Sequence, residues 1–83
     1  MSPLVRPEQP MPHDVAEALR TQGVLDAYQA RPAYQRNDYL AWIGRAQQPA
    51  TRGKRLGQML EELREGGVYM GMVHAPSRRG ARA

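Results

Sequence analysis

The 83-residue chain contains no cysteine and no phenylalanine, and both absences limit what it can be. Without cysteine, neither a disulfide nor a thiolate metal site can stabilise the fold, so packing has to do so. A chain of this length forms one domain at most and buries a smaller share of its surface than a large domain does. The large apolar side chains available for a core are Trp42, four Tyr and five Met, with a modest set of Leu, Ile and Val.

Long apolar runs are also absent from the sequence. No stretch approaches the ~20 consecutive apolar residues that a membrane-spanning helix needs. The N-terminal segment, MSPLVRPEQPMP, lacks the apolar core of a secretory signal. The sequence therefore predicts a cytoplasmic, bacterial-type protein without a membrane span.

Acidic residues are missing from position 66 onward, and this gap explains most of the basic character of the chain. The formal net charge is +4, but Arg78, Arg79 and Arg82 lie in the last six residues. Residues 1–73 carry nine basic and eight acidic groups, a net charge of +1. The globular part is nearly neutral, so the overall charge does not by itself indicate a nucleic-acid partner.

Composition divides the chain into three segments. Residues 1–11 contain three prolines and little apolar content, which predicts a flexible N-terminal arm. Residues 12–67 carry helical patterns and form the predicted helical domain. Residues 68–83 are predicted to be an extended or disordered basic tail. Within it, the stretch VYMGMV alternates like a strand, but no other segment offers it a strand partner.

Apolar residues recur at helical spacing in four places along the domain. The predicted helices cover residues 12–22, 24–31, 34–46 and 49–65. Pro32 ends the second helix and Pro49 opens the fourth. Asp14 and Glu17 have the spacing of a capping box, and glycines 66–67 follow the last helix as a C-cap. Because each helix has one apolar stripe, the sequence predicts a small all-α bundle of three to four short helices with flexible tails.

Trp42 has the largest side chain in the dense apolar stripe of the third helix and is predicted to lie at the centre of the core. Truncating a buried Trp to Ala typically costs ~3–5 kcal/mol, out of the ~5–15 kcal/mol that stabilises a domain. The Trp42→Ala protein is therefore expected not to fold. The predicted core consists of ten positions on the four helices: Val15, Leu19, Leu25, Tyr39, Trp42, Ile43, Leu56, Met59, Leu60 and Leu63.

A series of residues in the helical region resembles a known family. The matching positions, in chain order, are Pro12, Asp14, Val15, Ala18, Leu19, Trp42, Ile43, Pro49, Thr51, Arg52, Arg55, Leu56 and Gly66. In this order they resemble the C-terminal helical domain of the YdeI/OmpD-associated, or bacteriocin-protection, family over residues 12–67. The family's Ala-Lys pair after Trp-Ile is Ala46-Gln47 here, so the Lys is absent.

The resemblance implies a role in resisting bacteriocins or envelope stress, without a known catalytic step. Its most specific element is the Pro-x-Thr-Arg-x-x-Arg signature at the start of the fourth helix, residues 49–55. Many larger members place a β-rich domain before the helical one. This chain is too short to contain it, so the properties of that domain are not implied here.

The charges of the fourth helix, PATRGKRLGQMLEEL, run against its dipole. Basic residues crowd its start, where the dipole is positive, and acidic residues crowd its end. Three interpretations stay open. The arginines pair with carboxylates such as Asp14, Glu17 or Asp38, or they form a solvated face, or they bind an anion together with Thr51, which would act as N-cap or ligand. Structural pairing is the favoured interpretation.

The candidate contacts for an anion or a partner are Arg45, Thr51, Arg52, Lys54 and Arg55. No catalytic residue, metal site or cofactor is predicted, because the two histidines, His13 and His74, lie in flanks or at a helix edge. No set of His, Asp and Glu has metal spacing, and no phosphate-binding glycine loop is present.

The function predicted from these features is a non-enzymatic helical domain that acts through an unidentified protein partner in stress or bacteriocin tolerance. The alternative is a nucleic-acid or anion-binding module that uses the basic start of the fourth helix and the Arg-rich tail. Against this alternative, Glu61, Glu62 and Glu65 on the same helix would repel phosphates.

Overall fold

The computed structural model of the protein describes residues 10–73, which form four helices and a short hairpin. The helices are α1, His13–Thr21; α2, Leu25–Gln29; α3, Ala33–Gly44; and α4, Pro49–Glu65. The hairpin strands are β1, Val68–Tyr69, and β2, Met72–Val73. The predicted small helical bundle is confirmed. Most of the predicted N-terminal arm, and the basic tail from residue 74 onward, lie outside the described residues.

Proline and glycine residues mark most of the helix boundaries. Pro12 and Pro32 are the N-caps of α1 and α3, and Pro49 is the first residue of α4. At that position a missing N–H is harmless, because the first N–H groups of a helix have no partner within it. Gly23 after α1 and Gly66 after α4 have φ angles of 72° and 92°. Glycine adopts this left-handed conformation readily because it lacks a Cβ.

The predicted capping box at α1 does not form. The N-cap is Pro12, which makes no side-chain cap hydrogen bond. Asp14 lies within the first turn, where its Oδ1 accepts a hydrogen bond from the N–H of Val15 at 2.9 Å. Glu17 pairs with Arg20 at 2.6 Å on the exposed side of the helix instead of reaching back to the helix start. The Asp14 carboxylate is therefore not used as a helix cap and can contact another helix.

A single core forms where α3 packs on α4, α1 on α2, and α2 on α4. Six of the ten predicted core residues are buried in it: Val15, Leu19, Tyr39, Ile43, Met59 and Leu63. The other four are partly buried and pack against it: Leu25, Trp42, Leu56 and Leu60. Four further side chains complete the buried apolar set: Val24, Ala27, Tyr28 and Leu40.

Tyr39, rather than Trp42, lies at the centre of the core. Tyr39 has 0% of its surface exposed and is the largest of the fully buried side chains. Trp42 lies near the C-terminal end of α3 and is only partly buried, with the guanidinium of Arg55 5.4 Å from its ring centroid. The prediction of a central Trp42 rested on side-chain size and was wrong, because position on the helix decides which side chain faces inward.

The chain after α4 forms a two-stranded antiparallel hairpin, with Val68 paired to Val73. The expectation that this stretch has no strand partner was therefore wrong, since the stretch folds back on itself. Its two-residue turn consists of Met70 and Gly71, with φ angles of 54° and 83°. Positive φ at both positions is typical of a type I′ turn, for which Asn-Gly and Asp-Gly are the usual sequence signals. Met-Gly lacks that signal, so the turn was not recognised from the sequence.

Candidate functional site

The five candidate contact residues surround the connection between α3 and α4, but they do not form one group. Gln48, not Thr51, is the N-cap of α4, because Pro49 starts the helix two residues earlier. Thr51 consequently lies inside the first turn. The side chains of Arg45 and Lys54 are exposed, and neither makes a hydrogen bond or ion pair with another residue in the range 10–73.

Arg52 connects three helices. Its Nε and Nη2 donate to Oδ2 and Oδ1 of Asp14 on α1 at 3.0 and 2.9 Å, which makes a bidentate pair. Its Nη1 donates to the carbonyl of Ile43 in the last turn of α3 at 3.4 Å. The hydrogen bond from Arg52 is the main cause that holds the pKa of Asp14 below its usual value. Asp14, one of the predicted partners, thus balances the positive charge at the start of α4.

Arg55 joins α4 to the end of α3. Its Nη1 donates to the carbonyl of Trp42 at 2.7 Å. This carbonyl belongs to the last turn of α3, where carbonyls have no partner within the helix. The guanidinium also lies over the Trp42 ring at cation–π distance. Arg55 therefore has a structural role, as the favoured interpretation expects, but its acceptor is a backbone carbonyl instead of a carboxylate.

The ion pair between Asp14 and Arg52 should make the stability of the fold depend on pH in a specific way. The pKa of Asp14 is lower in the folded protein than its ordinary value of 3.8. The ion pair with Arg52 therefore stabilises the fold fully at pH values above 3.8. This stabilisation is lost as the pH falls through the lowered pKa. We expect the urea midpoint of Asp14→Asn to fall less than that of the wild type between about pH 6 and about pH 2.5.

Arg52→Gln should show the same reduced pH dependence, and the double variant should show no further reduction. The effect will be modest, because the Asp14 side chain is 53% exposed and water screens such pairs. An acid-induced decrease in Asp14→Asn as large as that of the wild type would contradict the prediction.

A second polar cluster lies where α4 meets the hairpin, and the sequence pattern did not reveal it. Glu62 is only 5% exposed, and its carboxylate is the centre of the cluster. Its Oε1 accepts hydrogen bonds from the hydroxyl of Tyr39 and from the N–H of Met70, the latter at 2.7 Å. Its Oε2 accepts from the side-chain amide of Gln58 at 2.9 Å and from the N–H of Gly71 at 2.7 Å. A buried carboxylate is tolerated when its oxygens are satisfied in this way.

Two tyrosines hold the hairpin against α3. Burial, followed by the hydrogen bond to Glu62, raises the pKa of Tyr39 well above 10.0, so its hydroxyl stays protonated and donates. Burial and a 2.6 Å hydrogen bond to Asp38 raise the pKa of Tyr69 in the same direction. The Tyr69 ring meets those of Tyr39 and Tyr34 edge to face, with centroids 5.5 and 6.1 Å apart. Aromatic pairs favour this geometry, and it fixes the position of β1.

Arg31 is the second buried charged residue among residues 10–73, with 4% of its surface exposed. Its Nη1 donates to the side-chain oxygen of Gln35 at 3.1 Å, and its Nη2 donates to the backbone carbonyl of Glu62 at 3.0 Å. The guanidinium lies 5.9 Å from the Tyr39 ring centroid. In the sequence Arg31 is simply the residue before a proline, and nothing in that pattern separates a buried arginine from a solvated one.

A family model described as bacteriocin-protection, YdeI or OmpD-associated, matches residues 8–66, which are 59 of the 83 residues. The chain belongs to this family. The resemblance noted over residues 12–67 is thereby confirmed. Comparisons with curated proteins and with solved structures give no match.

In this YdeI/OmpD-associated domain, the matched region ends at Gly66, the residue that caps α4. The signature arginines, Arg52 and Arg55, and their partners Asp14 and Trp42 all lie inside it. In this chain, both arginines therefore make contacts between helices. The hairpin lies beyond the matched region, although the side chain of Glu62 that binds its turn lies within it.

The described residues of the YdeI/OmpD-associated domain have further features that bear on its function. Within residues 10–73, no group of three or more His, Asp and Glu side chains is placed to hold a metal ion. His13 is exposed, and His74 lies outside the described residues. None of the four helices described here has both the length and the apolar content that crossing a membrane requires. A groove of about 380 Å³ is lined by Pro10, Met11, Tyr28, Gln29, Ala33, Arg36, Asn37 and Leu40.

Proposed function

We propose that this domain acts without catalysing a reaction, by binding a protein partner in the bacterial cytoplasm, and that the complex contributes to bacteriocin or stress tolerance. The description of the family, bacteriocin protection, supports the process. The proposed mode of action is supported by one observation: Arg52 and Arg55 both donate hydrogen bonds to neighbouring helices. The two arginines of the Thr-Arg-x-x-Arg pattern thus hold the fold together. This favours another part of the surface as the place where a protein partner binds.

The charge balance of the described domain also favours a protein over a nucleic acid as the partner. Residues 10–73 carry eight Lys or Arg and seven Asp or Glu, a net charge of +1. Asp14 neutralises Arg52 at the start of α4. At the other end of that helix, Glu61 and Glu65 are exposed. Acidic side chains at these positions would repel the phosphates of a duplex lying along α4.

Two large apolar side chains are exposed among residues 10–71, and a protein partner would gain from burying them. Met11 is 39% exposed and Tyr34 is 49% exposed. Met11 lines the groove of about 380 Å³, together with Tyr28 and Leu40. Met and Tyr are enriched at protein interfaces, because Met adapts its shape and Tyr combines an apolar ring with a hydrated hydroxyl.

Site-specific photo-crosslinking in living bacteria tests this proposal. A photoreactive amino acid replaces Met11 or Tyr34 in the full chain, and exposed Gln47 serves as the control position. We expect a discrete crosslinked protein adduct from Met11 or Tyr34 and none from Gln47. Bacteria that lack the protein should survive bacteriocin challenge less well, and the wild-type chain should restore survival. Absence of adducts from both test positions, or unchanged survival, would contradict the proposal.

The exposed side chains of Arg45 and Lys54 favour a second candidate, the binding of nucleic acid or another anion at the start of α4. Titration with duplex DNA at low and high salt distinguishes it from the first. Salt-sensitive binding that survives removal of residues 74–83, but is lost in Arg45→Gln/Lys54→Gln, would establish this alternative. Our main proposal predicts no binding by the shortened chain at low salt.

A further inference from the structure

The hairpin of residues 68–73 meets the helical bundle at its turn and at Tyr69. We propose that this hairpin is a strap that opens and closes over the core as a separate unit, and that the Glu62 carboxylate is the latch that holds it closed. The device goes beyond the proposed function, because it concerns which surface of the domain is presented rather than what binds there.

The geometry of the turn explains why Glu62 acts as the latch. The N–H groups of Met70 and Gly71 are consecutive, and each donates to a different oxygen of the carboxylate at 2.7 Å. Hydrogen bonds to an ionised acceptor are about twice as strong as bonds between neutral groups. Tyr39 and Gln58 donate to the same two oxygens from the bundle, so the carboxylate connects the hairpin to both α3 and α4.

The hairpin is too small to keep its shape without the bundle. Each strand has two residues, and even a longer two-stranded hairpin is marginally stable alone. Its turn places Met70, which has a Cβ, at a φ of 54°, a conformation that non-glycine residues adopt only at some cost. The closed state therefore depends on contacts with the bundle: the Glu62 carboxylate, the hydrogen bond between Tyr69 and Asp38, and the packing of Tyr69 and Met70 on the core.

Opening the strap would uncover the Glu62 carboxylate and the part of Tyr39 that contacts Tyr69. Tyr39 is 0% exposed and Glu62 is 5% exposed, and both contact the hairpin directly. Asp38 and Tyr34 lie beside them through their contacts with Tyr69. The open domain would therefore add the Glu62 carboxylate and the Tyr39 hydroxyl to a surface on which Tyr34 is already exposed.

Amide hydrogen exchange measured by NMR on the full chain tests the latch. Glu62→Gln replaces one carboxylate oxygen with an NH₂ group that cannot accept a hydrogen bond from the turn. The amides of Met70 and Gly71 should then exchange at least about tenfold faster than in the wild type, while those of the helices keep their protection. Glu65→Gln, the same change on the exposed side of α4, should leave all rates unchanged. Unchanged protection of the turn amides in Glu62→Gln would overturn the proposal.

A second variant breaks the hairpin without altering the buried carboxylate. Proline cannot adopt the φ of 83° found at Gly71 and has no N–H to donate. Gly71→Pro should therefore remove protection from the Met70 amide while the amides of α3 and α4 stay protected. If the helices lose protection together with the hairpin in both variants, hairpin and bundle are one cooperative unit and the proposal is wrong.

Discussion

Replacing Tyr39 with alanine is expected to unfold the domain, whereas replacing Trp42 with alanine is not. Tyr39 is completely buried, and truncating a large buried side chain costs ~3–5 kcal/mol. The variant also removes the hydroxyl that donates to Glu62. Glu62 Oε1 keeps the N–H of Met70 as a donor, so this loss is that of one hydrogen bond to a charged group, about 1.5–3 kcal/mol. Together these losses are comparable to the whole stability of a small domain, ~5–15 kcal/mol.

Trp42→Ala is the matched comparison, because it removes a larger side chain from the same helix. Trp42 is only partly buried, so its removal leaves a smaller cavity and no buried hydrogen-bonding group. We expect this variant to keep its helical circular-dichroism spectrum and a cooperative thermal transition with a lowered midpoint. An unfolded Trp42→Ala protein beside a cooperatively folded Tyr39→Ala protein would contradict the placement of Tyr39 at the centre.

Arg31→Ala is expected to lower the free energy of unfolding by roughly 2–4 kcal/mol. The buried guanidinium donates to Gln35 and to the carbonyl of Glu62. Its removal takes one hydrogen bond from the Gln35 side chain and one from the Glu62 carbonyl, which keeps the N–H of Gly66, and opens a gap beside Tyr39. Arg31→Lys should restore little of the stability, because a single ammonium lacks the planar fork that reaches two acceptors at once.

Urea unfolding measures this effect, with Arg20→Ala as the control. The Arg20 side chain is 59% exposed and pairs with Glu17 on the surface, where such pairs contribute ~0–1 kcal/mol. Equal losses of stability in Arg31→Ala and Arg20→Ala would show that the buried position of Arg31 has no energetic consequence.

The helices could be predicted from the sequence because their signals are local. Apolar spacing marks the inward face of each helix, and the prolines at 12, 32 and 49 mark three starts. The resemblance to a family could also be recognised from the sequence, since its signature is a short run of residues around Arg52 and Arg55. The partner of Arg52 was within the predicted set, because few carboxylates lie on the other helices.

The second polar cluster could not be predicted, because its members are far apart in the chain. Glu62 is one of two adjacent glutamates near the end of α4, and only its neighbour Glu61 is exposed. Helical position alone did not distinguish them, since the burial of Glu62 depends on hydrogen bonds from Tyr39 and from a turn with no sequence signal. Arg31 was missed for the same reason, because its acceptor on Glu62 lies 31 residues away.

Other parts of the fold compensate the reversed charges of α4 at Arg52, Arg55 and Glu62, and each of these residues has its own partner. Asp14 of α1 neutralises Arg52. Arg55 binds a carbonyl at the C-terminal end of α3, where the dipole of that helix is negative and favours a cation. At the other end of α4, Glu62 turns inward to the N–H groups of the hairpin. Each of these charges faces a partner supplied by another part of the fold.

The central claim is that the signature arginines hold the helices together, and urea unfolding of three single variants tests it most directly. Arg52→Gln, Arg55→Gln and Lys54→Gln remove the same charge within four residues of one helix. We predict lower urea midpoints for the first two and an unchanged midpoint for Lys54→Gln, whose side chain has no partner among residues 10–73. Unchanged midpoints for Arg52→Gln and Arg55→Gln, or the same decrease in all three variants, would contradict the account.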